Sequence, residues 1–389
     1  ALGFDTGFTH MEWYRKADGE VVFGEIGARP PGAHQVDQMN FACEFDVYRE
    51  WGRAVAFGRF DAEIKRIIVE VAEDCAVLNA DDPLVLKMSG YTDAKVICYV
   101  TMNPQHGLVR EHIRAGGRAC ALEAGVNGQM ITLYDKGGHI PLLWTHLIPA
   151  TLEGRAMHNV QNAMVAATMA FSMGIKLDAI RQGLRTFDTT FFQAPGRMNV
   201  FNEHPFKVLF DYGHNAHAVG VMADLAQRLD VTGRRIVVLA GPGDRRDQDL
   251  CEIAEAVAGR FDHYICRRDD SLRGRASDEV PKIQAARLRE LGIADSAISV
   301  IPDEQEAIEA GLGMSQAGDL LLVFADALVR SWKQVIKFKP NGVQDTKVVE
   351  KAPAPQAIPV QVEPVFEASA WDGVVRDERG IHLTREQDD

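Results

Sequence analysis

The sequence predicts an α/β protein whose second half is a parallel sheet covered on both faces by helices. From residue 200 to 336, short apolar runs alternate regularly with amphipathic stretches. Strict β–α alternation, with strands that are apolar throughout, is the pattern of a parallel sheet buried on both sides. At 389 residues and 46% apolar, the chain has material for two or three packed domains. No apolar stretch approaches the roughly 20 residues of a membrane span, which predicts a soluble protein without membrane partners.

In chain order, residues 1–60 read as a strand–turn–strand piece, FTHMEWYRKADGEVVFGEIGARPPG, followed by the helix-like FACEFDVYREWGRAVAFG. Between 61 and 190 the strands CAVLNA, AKVICYV and QMITLYD are separated by turns and lead into the long helical stretch HNVQNAMVAATMAFSMG. Then come strand KVLFDY, a helix to about 229, strand RIVVLAG, helix DQDLCEIAEAVAG and strand HYICR. Helix VPKIQAARLRELG, strand AISVIP, helix EQEAIEAGLGMS, strand DLLLVFAD and helix ALVRSWKQVIKF complete the series. Residues 341–389 hold ten Asp and Glu against five Lys and Arg and contain the proline-broken EKAPAPQAIPVQVEP, read as an acidic tail that is mobile or docked only in patches. The domains expected are therefore 1–60, 61–190 and 191–338, with a flexible segment over 339–389.

A net charge of −13 argues against general nucleic-acid binding, which needs a basic surface to replace counterions on phosphate. The first residues lack the basic-then-apolar order of a secretory signal, and the six cysteines are scattered without CxxC spacing. Both observations read as reduced thiols in a cytoplasm.

Ligands on parallel sheets sit at the carboxyl ends of strands. At one such end, FKVLFDYGHNAHAVG places Asp211, His214 and Asn215 between strand and helix. These residues suit either a nucleotide or phosphate at the helix N-terminus, or an Asx turn in which Asn215 caps the helix. Upstream, APGRMNVF offers Gly196 for a backbone turn and the Arg197 guanidinium for phosphate. After the next strand, GPGDRRD spends glycines, arginines and acids on a connection. Without a GxGxxG between strand and helix, a nicotinamide dinucleotide is disfavoured. Asn159 and Asn162 of HNVQNA lie three apart on one helix face, where amides can read a purine edge or simply cap and solvate the helix. NADDP at 79–83 reads as a helix cap or as acids near a cation. Lys65 reads as a snorkelling surface lysine.

From about 61 to 338 the chain resembles the Mur-ligase-like part of the cyanophycin synthetase family. NADDP, HNVQNA, APGRMNVF, DYGHN, GPGDRRD, RRDDSLRGR and FADALVRSW occur in that family's order. The resemblance implies a partial Mur-ligase central domain and a Rossmann-like C-terminal domain. It also implies an ATP-dependent amide ligase that activates a carboxylate as an acyl phosphate, with aspartate, arginine and a cyanophycin-like polymer as substrates and a homo-oligomer allowed for. Carried over by position, Asn159 and Asn162 would meet adenine, Arg197 the phosphates, and Asp211 with His214 the ribose and phosphate region. Arg245, Arg246 and Arg330 would face the incoming substrate, and Lys65 stands near a lysine that is carbamylated and orients magnesium in related ligases. MEWYRKADGEVVFGEIGARPPG is similar to the distal strands of ATP-grasp enzymes, which would make Glu12 and Glu25 ligands of Mg2+ and Arg29 a phosphoryl contact. An exposed hairpin with a proline-rich turn is the alternative there.

The sequence departs from both families. Mur-type ligases cradle ATP in a glycine-rich loop ending in Gly-Lys-Ser or Gly-Lys-Thr, and neither tripeptide occurs in the 389 residues. The ATP-grasp-like piece begins beyond where its own glycine-rich loop would stand, and FGRFDAEIK joins the two resemblances directly. Three functions follow: an ATP-dependent ligase, an inactive nucleotide- or polymer-binding remnant of one, or an unrelated ATP-grasp carboxylate–amine ligase.

Overall fold

The computed structural model describes residues 74–340 and 374–383, together with the backbone of two strands nearer the start, β1 (His10–Arg15) and β2 (Val21–Gly27). The chain divides into two compact units, a smaller one of residues 1–78, 82–98 and 371–389, and a larger one of residues 79–81 and 99–370.

In the smaller unit β1 and β2 pair antiparallel, as the strand–turn–strand pattern predicts, with a register shift just after Glu12. Strand β3 (Cys75–Asn79) is followed by α1 (Pro83–Lys87) and runs beside β4 (Val96–Thr101). Asp82 starts α1 by accepting from the amides of Leu84 (2.8 Å) and Val85 (3.1 Å), and Pro83 fills a first-turn position where no N–H is needed.

The larger unit continues through α2 (Gly107–Arg114), then the antiparallel meander β5 (Arg118–Gly125), β6 (Gly128–Asp135) and β7 (Gly138–Trp144). Helices α3 (Met157–Ser172) and α4 (Leu177–Thr186) follow. Of this region the sequence reading named β3, β4, β6 and α3. It passed over β5 and β7, which pair with β6 in consecutive hairpins through two-residue turns.

Beyond residue 198 comes β8 (Asn199–Phe201), then β9 (Lys207–Asp211), α5 (Ala216–Arg228), β10 (Arg235–Leu239), α6 (Asp247–Val257) and β11 (His263–Cys266). The series closes with α7 (Glu279–Glu290), β12 (Ile298–Val300), α8 (Glu304–Met314), β13 (Leu320–Phe324) and α9 (Leu328–Lys337). The sheet order is β12-β11-β10-β13-β9-β8, and every neighbouring pair from β12 to β9 is parallel. The exception to the predicted parallel sheet is β8, which pairs antiparallel with β9. Only residues 202–206 join the two, far fewer than the dozen or so a parallel crossover requires.

Alternation along each strand builds two cores. Leu209, Val237, Leu239, Leu320, Leu322 and Phe324 face α5, α6 and α7, while Val208, Phe210, Ile236, Val238, Leu321 and Val323 face α8 and α9. The result is three layers. Chain order reverses where β13 inserts between β9 and β10, and this puts the loops after β9, β10, β11 and β13 at one edge of the sheet.

A last antiparallel pair, β14 (Val374–Asp377) and β15 (Gly380–Leu383), belongs to the smaller unit, where the Leu383 amide donates to Ser89 Oγ (3.1 Å). Among the described residues no helix is long and apolar enough to cross a membrane.

Candidate functional site

Asp211 is the last residue of β9 and is 8% exposed. One carboxylate oxygen accepts from the Met198 amide (2.8 Å) and the other from the Gly213 amide (2.7 Å). The Tyr212 amide donates to Gly196 O (2.9 Å), so residues 196–198 are stitched to the strand end. Asn199 closes the turn from the other side. Its amide donates to Thr189 O (2.7 Å) and Ala194 O (2.8 Å), while its oxygen accepts from the Gly196 amide (2.8 Å). Gly196 and Met198 both take left-handed backbone, with φ of 69° and 50°. The positive φ favours glycine at 196, and a side chain there would also have to displace the Leu328 methyls, 2.6 Å away.

Between these two fixed residues Arg197 projects outward. Its guanidinium lies over the Tyr212 ring at 5.9 Å and makes no hydrogen bond or ion pair among the described residues. Burial pushes the Asp211 carboxyl above its ordinary value, against the pull of the Met198 and Gly213 amides and the Arg197 charge.

Arg197 and Asp211 line a cavity of about 760 Å3 together with Asn159 and Asn162. Residues expected from three separate motifs thus meet in one place. Helix α3 begins at Met157 with no side-chain cap, so the two asparagines lie within its first two turns and face the cavity. Asn159 is largely spoken for: Nδ2 donates to Ala150 O (2.7 Å), and its oxygen accepts from Asn162 Nδ2 (3.2 Å). Asn162 Oδ1 is left to the cavity. Further along α3 the wall is Ala163, Ala166 and Ala170, which gives one polar end and one apolar end, the usual build of a small-molecule site.

The sequence reading missed His158 and His217, which also line the cavity. His217 is the second residue of α5, three positions beyond His214, a spacing that could have drawn attention to it. Burial and then Arg228 hold His158 below the ordinary imidazole value. His214 itself is not among the lining residues; its ring tilts against Tyr212 at 5.1 Å, with Nδ1 3.3 Å from the Tyr212 carbonyl. Asn215 caps α5 by accepting from the Ala218 amide (2.9 Å), as the turn reading of this junction expects.

Arg245, Arg246 and Arg330 are not among the cavity-lining residues. Arg245 and Arg246 stand in the loop between β10 and α6, beside the loop after β11, while Arg330 lies in the first turn of α9. Arg246 pairs with Asp249, and Arg330 pairs with Asp270 at 2.9 Å. The Nε of Arg245 is buried without a hydrogen-bond partner among the described residues. Arg275 braces these loops, donating to Gly243 O (2.9 Å) and Arg245 O (2.6 Å) while pairing with Asp247 and Glu279. A side chain on Gly243 would collide with Leu272 O at 2.3 Å, so the two loops touch backbone to backbone. In NADDP, Asp82 is the helix cap described above, and Asp81 accepts from Thr101 Oγ1 (2.5 Å) and the Met102 amide (2.7 Å).

Glu12 and Glu25 are direct Cα partners across the β1–β2 ladder, while Arg29 and Lys65 lie outside the described residues. Among the described residues no group of three or more His, Cys, Asp or Glu is arranged to hold a metal ion.

Residues 196–327 match the family profile of the Mur ligase glutamate ligase domain. The chain is 35% identical over 283 residues to cyanophycin synthetase from Synechocystis sp., which covers 72% of this chain and 32% of that protein. It is 38% identical over 289 residues to cyanophycin synthetase from Nostoc sp., covering 70% of this chain and 30% of the relative. A UDP-N-acetylmuramoyl-L-alanyl-D-glutamate–2,6-diaminopimelate ligase from Geobacillus kaustophilus is 26% identical over 297 residues, covering 74% of this chain and 52% of the relative. The chain therefore spans about a third of the length of the cyanophycin synthetases it matches.

Proposed function

We propose that this chain, a homologue of cyanophycin synthetases with a Mur ligase glutamate ligase domain over residues 196–327, serves ATP-dependent amide ligation, joining arginine or aspartate to a cyanophycin-like polymer. The reaction runs in two steps. A carboxylate takes the γ-phosphoryl group of ATP and releases ADP, and the amine then attacks the acyl phosphate and releases phosphate.

The observation that carries this reading is the shared cavity of Asn159, Asn162, Arg197 and Asp211. Its volume suits a nucleotide-sized ligand. In this reading Asn162 meets the purine edge, Asn159 steadies it, and Arg197 supplies charge to the phosphates. Asp211 keeps the Arg197 turn in place, and His214 flanks the ribose and phosphate region. Arg245, Arg246 and Arg330 meet the incoming substrate at the sheet edge. Magnesium, when bound, would offset phosphate charge in a cytoplasmic enzyme; Glu12 and Glu25 are proposed to hold it, Lys65 to orient it and Arg29 to contact the phosphoryl group.

A second reading is favoured by one observation. The sequence contains no Gly-Lys-Ser or Gly-Lys-Thr, and positioning with electrostatics is nearly all the catalysis that phosphoryl transfer has. A chain without that loop binds nucleotide or polymer and does not turn over. The experiment is ATP titration, followed by phosphate release and polymer growth with magnesium, aspartate, arginine and a cyanophycin primer, on mass-verified 389-residue protein. Weak ATP binding without turnover would discard ligation by this chain and leave the second reading. Primer-dependent turnover lost in Arg197→Ala would discard the second reading, and no ATP binding at all would discard the nucleotide site.

A further inference from the structure

Cys75 opens β3 and Cys98 sits in β4, and their sulfurs are 3.1 Å apart. Both belong to the smaller unit. The strands are tied at this end by the Val96 amide donating to Asp74 O (3.1 Å). The Val96–Asp74 and Ala80–Val100 backbone bonds set Cys75 opposite Val96, so Cys98 stands diagonally across the ladder, and it is the sulfur contact that brings the pair within reach of a bond. The two residues also differ in access: Cys98 is fully buried, whereas Cys75 is half-buried and open to solvent on one side.

From this geometry we propose that Cys75 and Cys98 form a reversible disulfide, a covalent modification site whose oxidant is a low-molecular-weight disulfide of the glutathione class. The half-exposed Cys75 thiolate attacks one sulfur of the oxidant, forming a mixed disulfide and expelling one thiolate. Cys98, already in contact, gives up its proton, attacks Cys75 Sγ and expels the second thiolate. The protein dithiol loses two electrons and the small disulfide gains two, so the step balances. The bond closes a loop over 76–97 that carries α1. The sulfurs start 3.1 Å apart, so they need to close by only about 1 Å to bond.

The other described cysteines do not share this arrangement. Burial pushes the thiols of Cys120 and Cys266 up to about 12, which leaves them inert at neutral pH. Cys251 is half-buried and serves as the internal comparison.

The test uses the full chain, reduced and then exposed to oxidised glutathione, with alkylation under denaturing conditions and tryptic mapping. We expect a peptide joining 67–87 to 96–110 that dithiothreitol splits, and a melting temperature higher by roughly 5 °C for the oxidised protein. Both effects should vanish in Cys75→Ser. In Cys98→Ala, Cys75 should keep its glutathione adduct because nothing displaces it. If the Cys98 variant fails to fold, Cys75→Ser, changed at the more accessible position, carries the test. A stable glutathione adduct on Cys75 in the unsubstituted protein overturns the proposal. So does a bridge to any other cysteine, or an absence of the linked peptide.

Discussion

Arg197 and Asp211 share one turn, yet their side chains are held in opposite ways. Among the described residues the Arg197 guanidinium makes no hydrogen bond or ion pair and lies over the Tyr212 ring, so Arg197→Ala should leave stability within about 0.5 kcal/mol. If the guanidinium meets phosphate, the same change should weaken ATP binding about tenfold or more, the usual size of a hydrogen bond to a charged group. Calorimetric titration beside a thermal melt separates the two, and unchanged affinity would remove Arg197 from the site. Asp269 gives a second test at this scale. Burial lifts its carboxyl to about 6, aided by Asp326 and Glu304 and opposed by Arg267. A folded value above the unfolded one favours the protonated form in the fold. Stability from this group is therefore complete below about pH 4 and is lost as the pH rises through about 6, costing up to about 3 kcal/mol above it. Arg267 keeps its partner Glu304 at 2.9 Å whatever happens at 269. Asp269→Asn should accordingly stabilise the protein at pH 8 by about 1–3 kcal/mol and do little at pH 4. Denaturant melts at both pH values decide it, and equal stability at pH 8 would refute the prediction.

Among the elements, the turn before β8 depends on a residue that sequence reasoning passed over. Asn199 satisfies two carbonyls and one amide from a fully buried position; without it the Thr189 carbonyl and the Gly196 amide lose this partner, and the Ala194 carbonyl keeps only the Arg197 amide at 3.1 Å. Asn199→Ala should cost about 2–4 kcal/mol. Asn215→Ala, which removes an exposed helix cap, should cost only about 1 kcal/mol. Paired urea melts would measure the difference, and equal losses would mean that the turn is not held by Asn199. The motif APGRMNVF pointed to glycine and arginine because their chemistry is local and conspicuous. Asn199 has no such signature: its importance comes from Thr189 and Ala194, brought to it by the chain's path.

For the molecule as a whole, the sheet from β8 to β13 draws nearly all of both its cores from residues 198–338, with Ala156 the buried exception. A fragment of 194–338 should therefore fold alone, with near-UV circular dichroism and a cooperative melt. Its edge strands β8 and β12 have only three residues each, which limits edge-to-edge association. A molten spectrum without near-UV signal would show that the fold needs α3 as a wall rather than as a neighbour.

The sequence by itself determined the alternation of strands and helices after residue 200, because apolar periodicity is a property of neighbours in the chain and survives without tertiary context. It also singled out Asn159, Asn162, Arg197 and Asp211 one motif at a time. Tertiary structure alone decided that these four share a cavity while Arg245, Arg246 and Arg330 stand elsewhere. It alone decided that β8 runs antiparallel, that His158 and His217 join the cavity wall, and that Cys75 touches Cys98. Each of these is a contact between residues far apart in the chain. Such contacts are fixed by sheet order and helix packing, which leave no period or spacing in the sequence to read.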